Sequence, residues 1–485
     1  MITYKQLSLA DVYSDCKEKF ENDKFQFLSL LENTIDLDEL VPASFINHFY
    51  ASTGRPRKYQ LYAMISALIL QRIFSIPTDS LLIIFLKYSQ ELRDFCGFLR
   101  VPDSSKFTRF KQDFLLDLQS MFDNLVDITE PICQQIDTAL ASMTIFDTSG
   151  LEAFVTENNP KYANRIIKQL KNFKKACNLD DSYDPYKAAY GSMPSHASAN
   201  PAIQQMYING HFCYAFKFGI ITNGLGIVRD ISFYNKDFLN AHPDIIVEKK
   251  SDSPDEDKSL ADSKALIPVL KDFFNKHPLI SPKTFLGDAA FDSIQIYRDL
   301  LLELKFDKAY IPLKTRLTLE NADCPLNEDG IPCCPNDPSI PMKREGSKSH
   351  LRSRIPTMKF VCPKMKWLYN KETKKSKRVT QCENPCTNSL CGRMFYIYPE
   401  KNLRAYPGIT RGTQEWSNTY KIRVAVEKNI NHFKYSYCVA ERKTQNEQTL
   451  HADLLLAGIT QLITVIVADK IHKHKYIRSL KPLIA

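Results

Sequence analysis

Near residue 140 the apolar residues of this chain change their period, and that change limits what the chain can fold into. Before it, segments 7–34, 59–74, 80–96 and 107–128 carry apolar residues three and four positions apart, the spacing of helices with one buried face. Gly54, Pro56, Pro77, Gly97, Pro102 and Pro131 stand between or after them as breakers, and Asp103-Ser104-Ser105 suits the cap of a helix starting near Lys106. After it, segment 142–149 reads SMTIFDTS, a short apolar run closing on Asp147. Such a run predicts a buried strand that delivers an aspartate at its carboxyl end. Segments 211–222 and 226–234 predict a strand pair turning at Asn223-Gly224. Segment 283–287 is a strand followed at once by Asp288, and 308–313 is another. Helices are expected at 260–276, kinked or begun late at Pro268, and at 293–304, with a loop over 185–201. By physics alone this order is a mixed α/β sheet with helical crossovers, behind an all-helical N-terminal region.

The 485 residues are enough for two or three domains and a sizeable core. A net charge of +9 suits a polyanionic partner without naming it. The N-terminus, MITYKQLSLADVYSD, is polar and charged, unlike a secretory leader, so a reducing cytoplasm is expected and clustered cysteines point to metal before disulfide. The most apolar run, 454–468, is short for a membrane span and includes Thr460, Gln461 and Thr464, which fits a buried helix and no membrane partner.

Segment 416–434, WSNTYKIRVAVEKNINHFK, reads as one amphipathic helix. At helical spacing Tyr420, Arg423, Glu427, Asn431 and Lys434 form a polar ridge, beside an apolar stripe of Ile422, Val426, Ile430 and Phe433. Alone, such a ridge is more often a solvated face. Asp147 and Asp288 change its standing, because ligands of open α/β sheets gather outside the carboxyl ends of the strands. Three carboxylates converging there repel unless a cation neutralises them, and oxygen-only ligands favour Mg²⁺ or Mn²⁺. Asp292 rivals Asp288, but it lies past the strand end, where capping the next helix is its simpler role.

The spacing Tyr420-(2)-Arg423-(3)-Glu427-(6)-Lys434 resembles the Y-(2)-R-(3)-E-(6)-K signature of bacterial insertion-sequence DDE transposases. FDTSG around Asp147 and GDAAFDS around Asp288 resemble that family's first two acidic blocks, with Ala290 where Gly is usual and Phe291 where Tyr is usual. The resemblance implies an RNase H-like catalytic domain in which Asp147, Asp288 and Glu427 hold two Mg²⁺ or Mn²⁺ ions. It implies that Arg423 and Lys434 bind phosphates of the transposon end, and that Tyr420 stacks on or orients a nucleotide. Trp416 would do likewise or simply belong to the core. The expected partners are double-stranded DNA, as transposon ends and target, and a second copy of the chain on that DNA. The expected location is the bacterial cytoplasm, at the nucleoid. Arg55, Arg57, Lys58, Lys106, Arg109 and Lys111 are candidate phosphate contacts or ordinary solvated charges, as are the six Lys/Arg between Asn158 and Asn178.

Over 316–410 the α/β pattern stops. Seven of the thirteen cysteines, Cys324, Cys333, Cys334, Cys362, Cys382, Cys386 and Cys391, fall there among the basic runs KREGSKSHLRSR and KETKKSKR. A segment with little core of its own is a candidate for structural zinc, although the C-x3-C-x4-C spacing is loose and independent thiols, or last of all disulfides, are the alternatives. Some transposases of the resembled family carry such an insertion, which makes it a candidate DNA-end-binding module. Four parts are expected: 1–140, helical and DNA-contacting; 141–315, the first part of the RNase H-like domain; 316–410, the basic Cys-rich insertion; and 411–485, the Glu427 helix and a C-terminal helix. The expected activity is cleavage at the inverted repeats of the chain's own element and joining of the 3′-OH ends to target DNA. A metal-dependent nuclease or resolvase without strand transfer, or an inactive DNA-binding derivative, is the alternative.

Overall fold

The structure, a computed structural model, describes residues 25–51, 56–208, 211–245, 260–314, 324–350 and 353–484. The start of the 7–34 helix, Gly54, Arg55, the acidic stretch 251–259 and residues 316–323 lie outside the described residues.

The N-terminal region is helical. Its main helices are Leu61–Ile73, Asp79–Tyr88, Gln90–Cys96, Ser104–Asp113 and Leu115–Ile136. The expected 80–96 helix is two, parted at Ser89, whose hydroxyl caps the second by accepting from Leu92 N. Pro131, expected as a breaker, sits inside the last of these helices.

Six strands form the main sheet: β1 (Met143–Glu152), β2 (Gln204–Ile208), β3 (His211–Thr222), β4 (Val228–Phe233), β5 (Thr284–Leu286) and β6 (Lys308–Tyr310). The path is β2-β3-β1-β5-β6, with β4 also on β3. β3 runs antiparallel to β1 and to β4, whereas β5 is parallel to β1 and β6 to β5. The run β4-β3-β1-β5-β6, antiparallel on one side of β1 and parallel on the other, is an RNase H-like sheet. β2, which the sequence did not suggest, extends it along the far half of β3, from Ala215 to His211. The β3–β4 connection is longer than an Asn-Gly pair: Thr222 faces Val228, and the positive φ (76°) falls on Gly226. The expected loop at 185–201 contains the helix Pro185–Ser192, capped by Asp184.

The helix Glu447–Lys470 has the length and hydropathy of a membrane span, but it is buried in this fold. It is apolar all round because it is surrounded, by the Leu115–Ile136, Leu61–Ile73 and Ser104–Asp113 helices and by β4. The packing is close enough that a Cβ on Gly458 would meet the Phe122 ring at 2.6 Å. Several of its polar groups are paired: Gln461 Oε1 accepts from Val228 N and from Asn429 Nδ2, both at 2.9 Å. One charged knot crosses the same interface. Asp453 pairs with Arg72, with Lys111 at 2.9 Å and with Arg442 at 3.1 Å, and Asp79 pairs with Lys111 at 3.0 Å and Arg442 at 2.8 Å. Burial would raise the Asp453 carboxyl, yet Arg442, Lys111 and Arg72 hold it below the ordinary carboxylate value. Lys111 is therefore a buried structural cation and not a surface contact for phosphates. Arg72 also donates to Tyr437 O at 3.0 Å, and Ser75 Oγ to Ser436 O at 2.6 Å, so the N-terminal helices brace the chain just after Lys434.

The regular structure of the insertion's described residues is β, apart from a 3₁₀ turn at Pro399–Lys401. Lys343–His350, Ser353–Val361 and Met394–Ile397 make a three-stranded antiparallel sheet. Met365–Asn370 with Lys375–Thr380, and Cys333–Cys334 with Asp337–Pro341, make two separate hairpins. Its small core holds Cys324, Met342, Met358, Phe360, Ile397, Ala405 and Tyr406.

Candidate active site

Asp147 and Asp288 are placed side by side by strand register. β1 and β5 run parallel with Ile145 opposite Leu286, the last pair of that ladder. Each aspartate lies two residues further on, where β5 ends and β1 continues alone against β3. Asp147 is thus not the end of its strand, as expected, but the point where β1 outruns its parallel neighbour. The crevice outside the parallel strand ends opens at that point. Asp288 caps a short 3₁₀ turn, its Oδ1 accepting from Ala290 N at 2.9 Å.

The third carboxylate comes from the segment 414–436, which is helical throughout but not of one pitch. An α-helix Gln414–Tyr420 tightens to a 3₁₀ turn at Lys421–Arg423, returns to α over Val424–Asn431 and widens to a π turn at His432–Ser436. Tight and wide turns offset each other, so the ridge of the sequence still faces one way. Val426, Ile430 and Phe433 are buried, and Asn429 Nδ2 donates to Gly226 O at 3.0 Å. The opposite side presents Glu427, half-exposed, to the aspartates.

Arg423 occupies the centre. Its Nη2 is 3.2 Å from Asp147 Oδ2, and its Nη1 pairs with Glu427 Oε1. Burial raises the Asp147 carboxyl to about 6 against the pull of Arg423, with Asp288 and Asp262 pushing the same way as burial. Burial also raises Asp288, with Asp262 adding to it and Arg423 opposing. The guanidinium is the cation among carboxylates that repel one another. Among the described residues no three His, Cys, Asp or Glu side chains stand close enough to hold a metal ion. The donor set itself, carboxylate oxygens two of which burial makes reluctant to ionise, fits a hard divalent cation.

Tyr420 and Trp416 stack at 4.9 Å between centroids with 20° between planes, and Tyr310 lies 6.2 Å from Trp416. Burial raises the Tyr420 phenol, Arg423 opposes, and the charges of Asp288, Glu427 and Asp147 add to the rise, which puts the ring beside the carboxylates. Trp416 is half-buried against the main core, with Nε1 buried and unpaired. Lys434 is buried in the π turn and donates to Ser149 Oγ at 2.8 Å. Burial lowers its ammonium to about 8. Ser149 shares the Asp147 face of β1, so Lys434 lies along the same line as the carboxylates.

Asp292 is not a rival ligand. Arg404 holds it through Nε at 3.0 Å and Nη2 at 2.7 Å, and Lys314 N donates to it at 2.8 Å. The next helix is capped by Ser293 instead. Asp262 was not foreseen: it opens the helix Asp262–Lys276, 2.9 Å from Lys217 Nζ of β3, and acts electrostatically on both Asp147 and Asp288. In the sequence it follows an acidic run with no strand before it, so no pattern marks it.

The cysteines of the insertion gather without forming a metal site in the described residues. All twelve described cysteines are free thiols. Burial raises the Cys386 thiol, and Cys334 and Cys362 act on it as neighbours. Cys324, Cys333 and Cys362 are buried, whereas Cys334, Cys382, Cys386 and Cys391 are half-buried. A separate groove of about 1140 Å³ on the N-terminal helices is lined by seven Lys/Arg and two Asp, including Arg57, Lys58, Lys106 and Arg109. It shares no residue with the carboxylate site.

Residues 14–113 match the family described as a transposase domain, DUF772. That match places a transposase-type domain in the N-terminal helices. The chain is also similar to a solved piggyBac transposase synaptic complex with hairpin DNA, at 11% identity and a TM-score of 0.35, over 95% of this chain and 80% of that one. None of the curated proteins matches the chain.

Proposed function

We propose that the chain is a DDE-type DNA transposase whose chemistry is carried by Asp147, Asp288 and Glu427. The observation that carries this reading is the register that sets Asp147 and Asp288 level, two residues past the Ile145–Leu286 pair, with Arg423 joining Asp147 to Glu427. The N-terminal transposase-type domain and its basic groove support DNA as the substrate.

The three carboxylates would hold Mg²⁺ or Mn²⁺, which supplies activation of a water or 3′-hydroxyl and charge neutralisation at the leaving oxygen. The chain's own residues do the rest. Arg423 screens the carboxylates from one another while the site is empty of substrate, then turns its fork to a phosphate when the carboxylates find another cation. Lys434, its charge weakened by burial and held to the Ser149 hydroxyl, meets a second phosphate along β1. The Trp416–Tyr420 stack offers a flat face on which a nucleotide at the cleavage point rests. Two copies, one for each DNA end, complete the reaction. Zinc on the insertion cysteines is a separate proposal, supported by the nearness of Cys334, Cys362 and Cys386 and decided by elemental analysis of the purified protein.

The test is strand transfer into plasmid DNA by purified protein, using pre-cut oligonucleotides from the ends that flank the reading frame. Joined products with Mg²⁺ are expected. Hydrolysis of the same DNA without joining would instead identify a nuclease or resolvase.

A further inference from the structure

The two-stranded ribbon Met365–Asn370 with Lys375–Thr380 stands apart from the other sheets of the insertion. Between Lys364 and Lys377 the chain carries six lysines and one glutamate. The register sorts them. Trp367 lies opposite Arg378 and Leu368 opposite Lys377, so strand alternation puts Lys366, Lys375 and Lys377 on one face with Leu368. Trp367, Tyr369 and Arg378 take the other face. Arg378 anchors that face: it pairs with Glu345 of the three-stranded sheet, and its guanidinium lies 4.7 Å from the Trp367 ring centroid. The lysine face is left outward.

Two features are unusual for a ribbon that meets only water. Trp367, Leu368 and Tyr369 are consecutive and 61%, 51% and 61% exposed, although a lone hairpin with exposed apolar residues is a poor solution to stability. The lysines crowd like charges onto a strip about two strands, or roughly 5 Å, wide. The lysine crowding is relieved by a polyanion, whose apolar floor also covers Leu368 on the same face. A two-stranded ribbon fits a DNA major groove roughly 12 Å wide, where lysines reach phosphates on the rims and apolar side chains meet base edges.

We propose that this ribbon is a DNA-binding arm, entering the major groove of duplex DNA with Lys366, Lys375 and Lys377 against the backbone. The inference rests on the transposase reading for its partner, and it adds a contact surface separate from both the carboxylate site and the N-terminal groove. The arm is tied through Arg378 and Glu345 to the insertion, which returns to the catalytic helix at Gln414. DNA gripped by the arm is thereby held in a fixed relation to that helix.

The experiment measures binding of the full chain to a random-sequence duplex over a series of salt concentrations. The substitutions Lys366→Ala, Lys375→Ala and Lys377→Ala are made together, and Lys→Arg at the same positions forms the second variant. Each phosphate contact contributes about 0.9 to the slope of log K against log salt, so the alanine variant is expected to bind more weakly with a slope shallower by up to about 2.7. The arginine variant should keep the wild-type slope, and both should unfold like wild type. An alanine variant with the wild-type slope overturns the arm, whatever the protein's activity. Loss of binding to phosphatidylserine vesicles with an unchanged DNA slope overturns it in favour of a lipid surface. An altered slope in a protein that neither cleaves nor joins DNA keeps the arm and removes the transposase reading.

Discussion

Arg423 decides how the carboxylates behave before any substrate arrives. It touches Asp147 and Glu427 and lowers the charge penalty on Asp288. Replacing it by glutamine leaves repelling carboxylates with no cation. The thermal midpoint of Arg423→Gln should therefore fall without Mg²⁺ and rise more steeply with added Mg²⁺ than that of the wild type, because a ligand that binds only the folded state stabilises it by mass action. Calorimetry with and without Mg²⁺ checks this, and an equal Mg²⁺ response in the two proteins contradicts it. Elsewhere, the His451 ring stacks on Phe233 at 5.0 Å, with both ring nitrogens buried and unpaired. Burial lowers its imidazole to about 4. Between its unfolded value near ~6.5 and that folded value the unfolded chain binds the extra proton, so this residue's contribution to stability is full above the window and lost as pH falls through it. His451→Phe removes the group and should flatten that part of the decline in urea-unfolding free energy below neutral pH. An unaltered profile would mean that His451 titrates normally.

At the scale of elements, the legible parts were those whose residue pattern and backbone agree. SMTIFDTS and KTFLG gave β1 and β5, and GDAAFDS put Asp288 beyond the second. The ridge from Tyr420 to Lys434 was legible because fixed residue types at fixed offsets survive small changes of pitch. The π turn itself was not, since nothing in NINHFKYS separates a wide turn from an α one. That turn folds Lys434 in against Ser149, a placement the ridge alone did not foretell. Long-range partners were equally hidden: Lys111 reads as one more surface charge until the 447–470 helix brings Asp453 against it. That knot gives the next prediction. Breaking a buried ion-pair network by removing one member costs about 3–5 kcal/mol. Asp453→Asn should lower the urea-unfolding free energy by about that much and loosen the turn at Tyr437 that Arg72 supports. A loss within experimental error of zero would show that the knot is neutral to stability.

The whole molecule divides its work. The helical N-terminal region packs on the sheet through the 447–470 helix, which touches both the N-terminal helices and β4. The insertion enters between β6 and the Glu427 helix, carrying most of the cysteines and the basic ribbon. Composition foretold a basic, cysteine-rich module there but not its strands, because its segments are short and alternate lysine with exposed aromatics in place of a buried face. On the proposed function three surfaces would face DNA: the N-terminal groove, the ribbon and the carboxylate crevice. The last is the one proposed to carry the chemistry, so the account is tested most directly there. The measurement is cleavage of duplexes carrying the element's own ends by purified protein, with Mg²⁺ or with chelator, for wild type and for Asp147→Asn, Asp288→Asn and Glu427→Gln. Wild type should release 3′-OH ends only with Mg²⁺ or Mn²⁺, and each variant should bind the same DNA with the wild-type salt dependence yet cleave none. Cleavage by any of the three at the wild-type rate, or cleavage by wild type in chelator, contradicts the account.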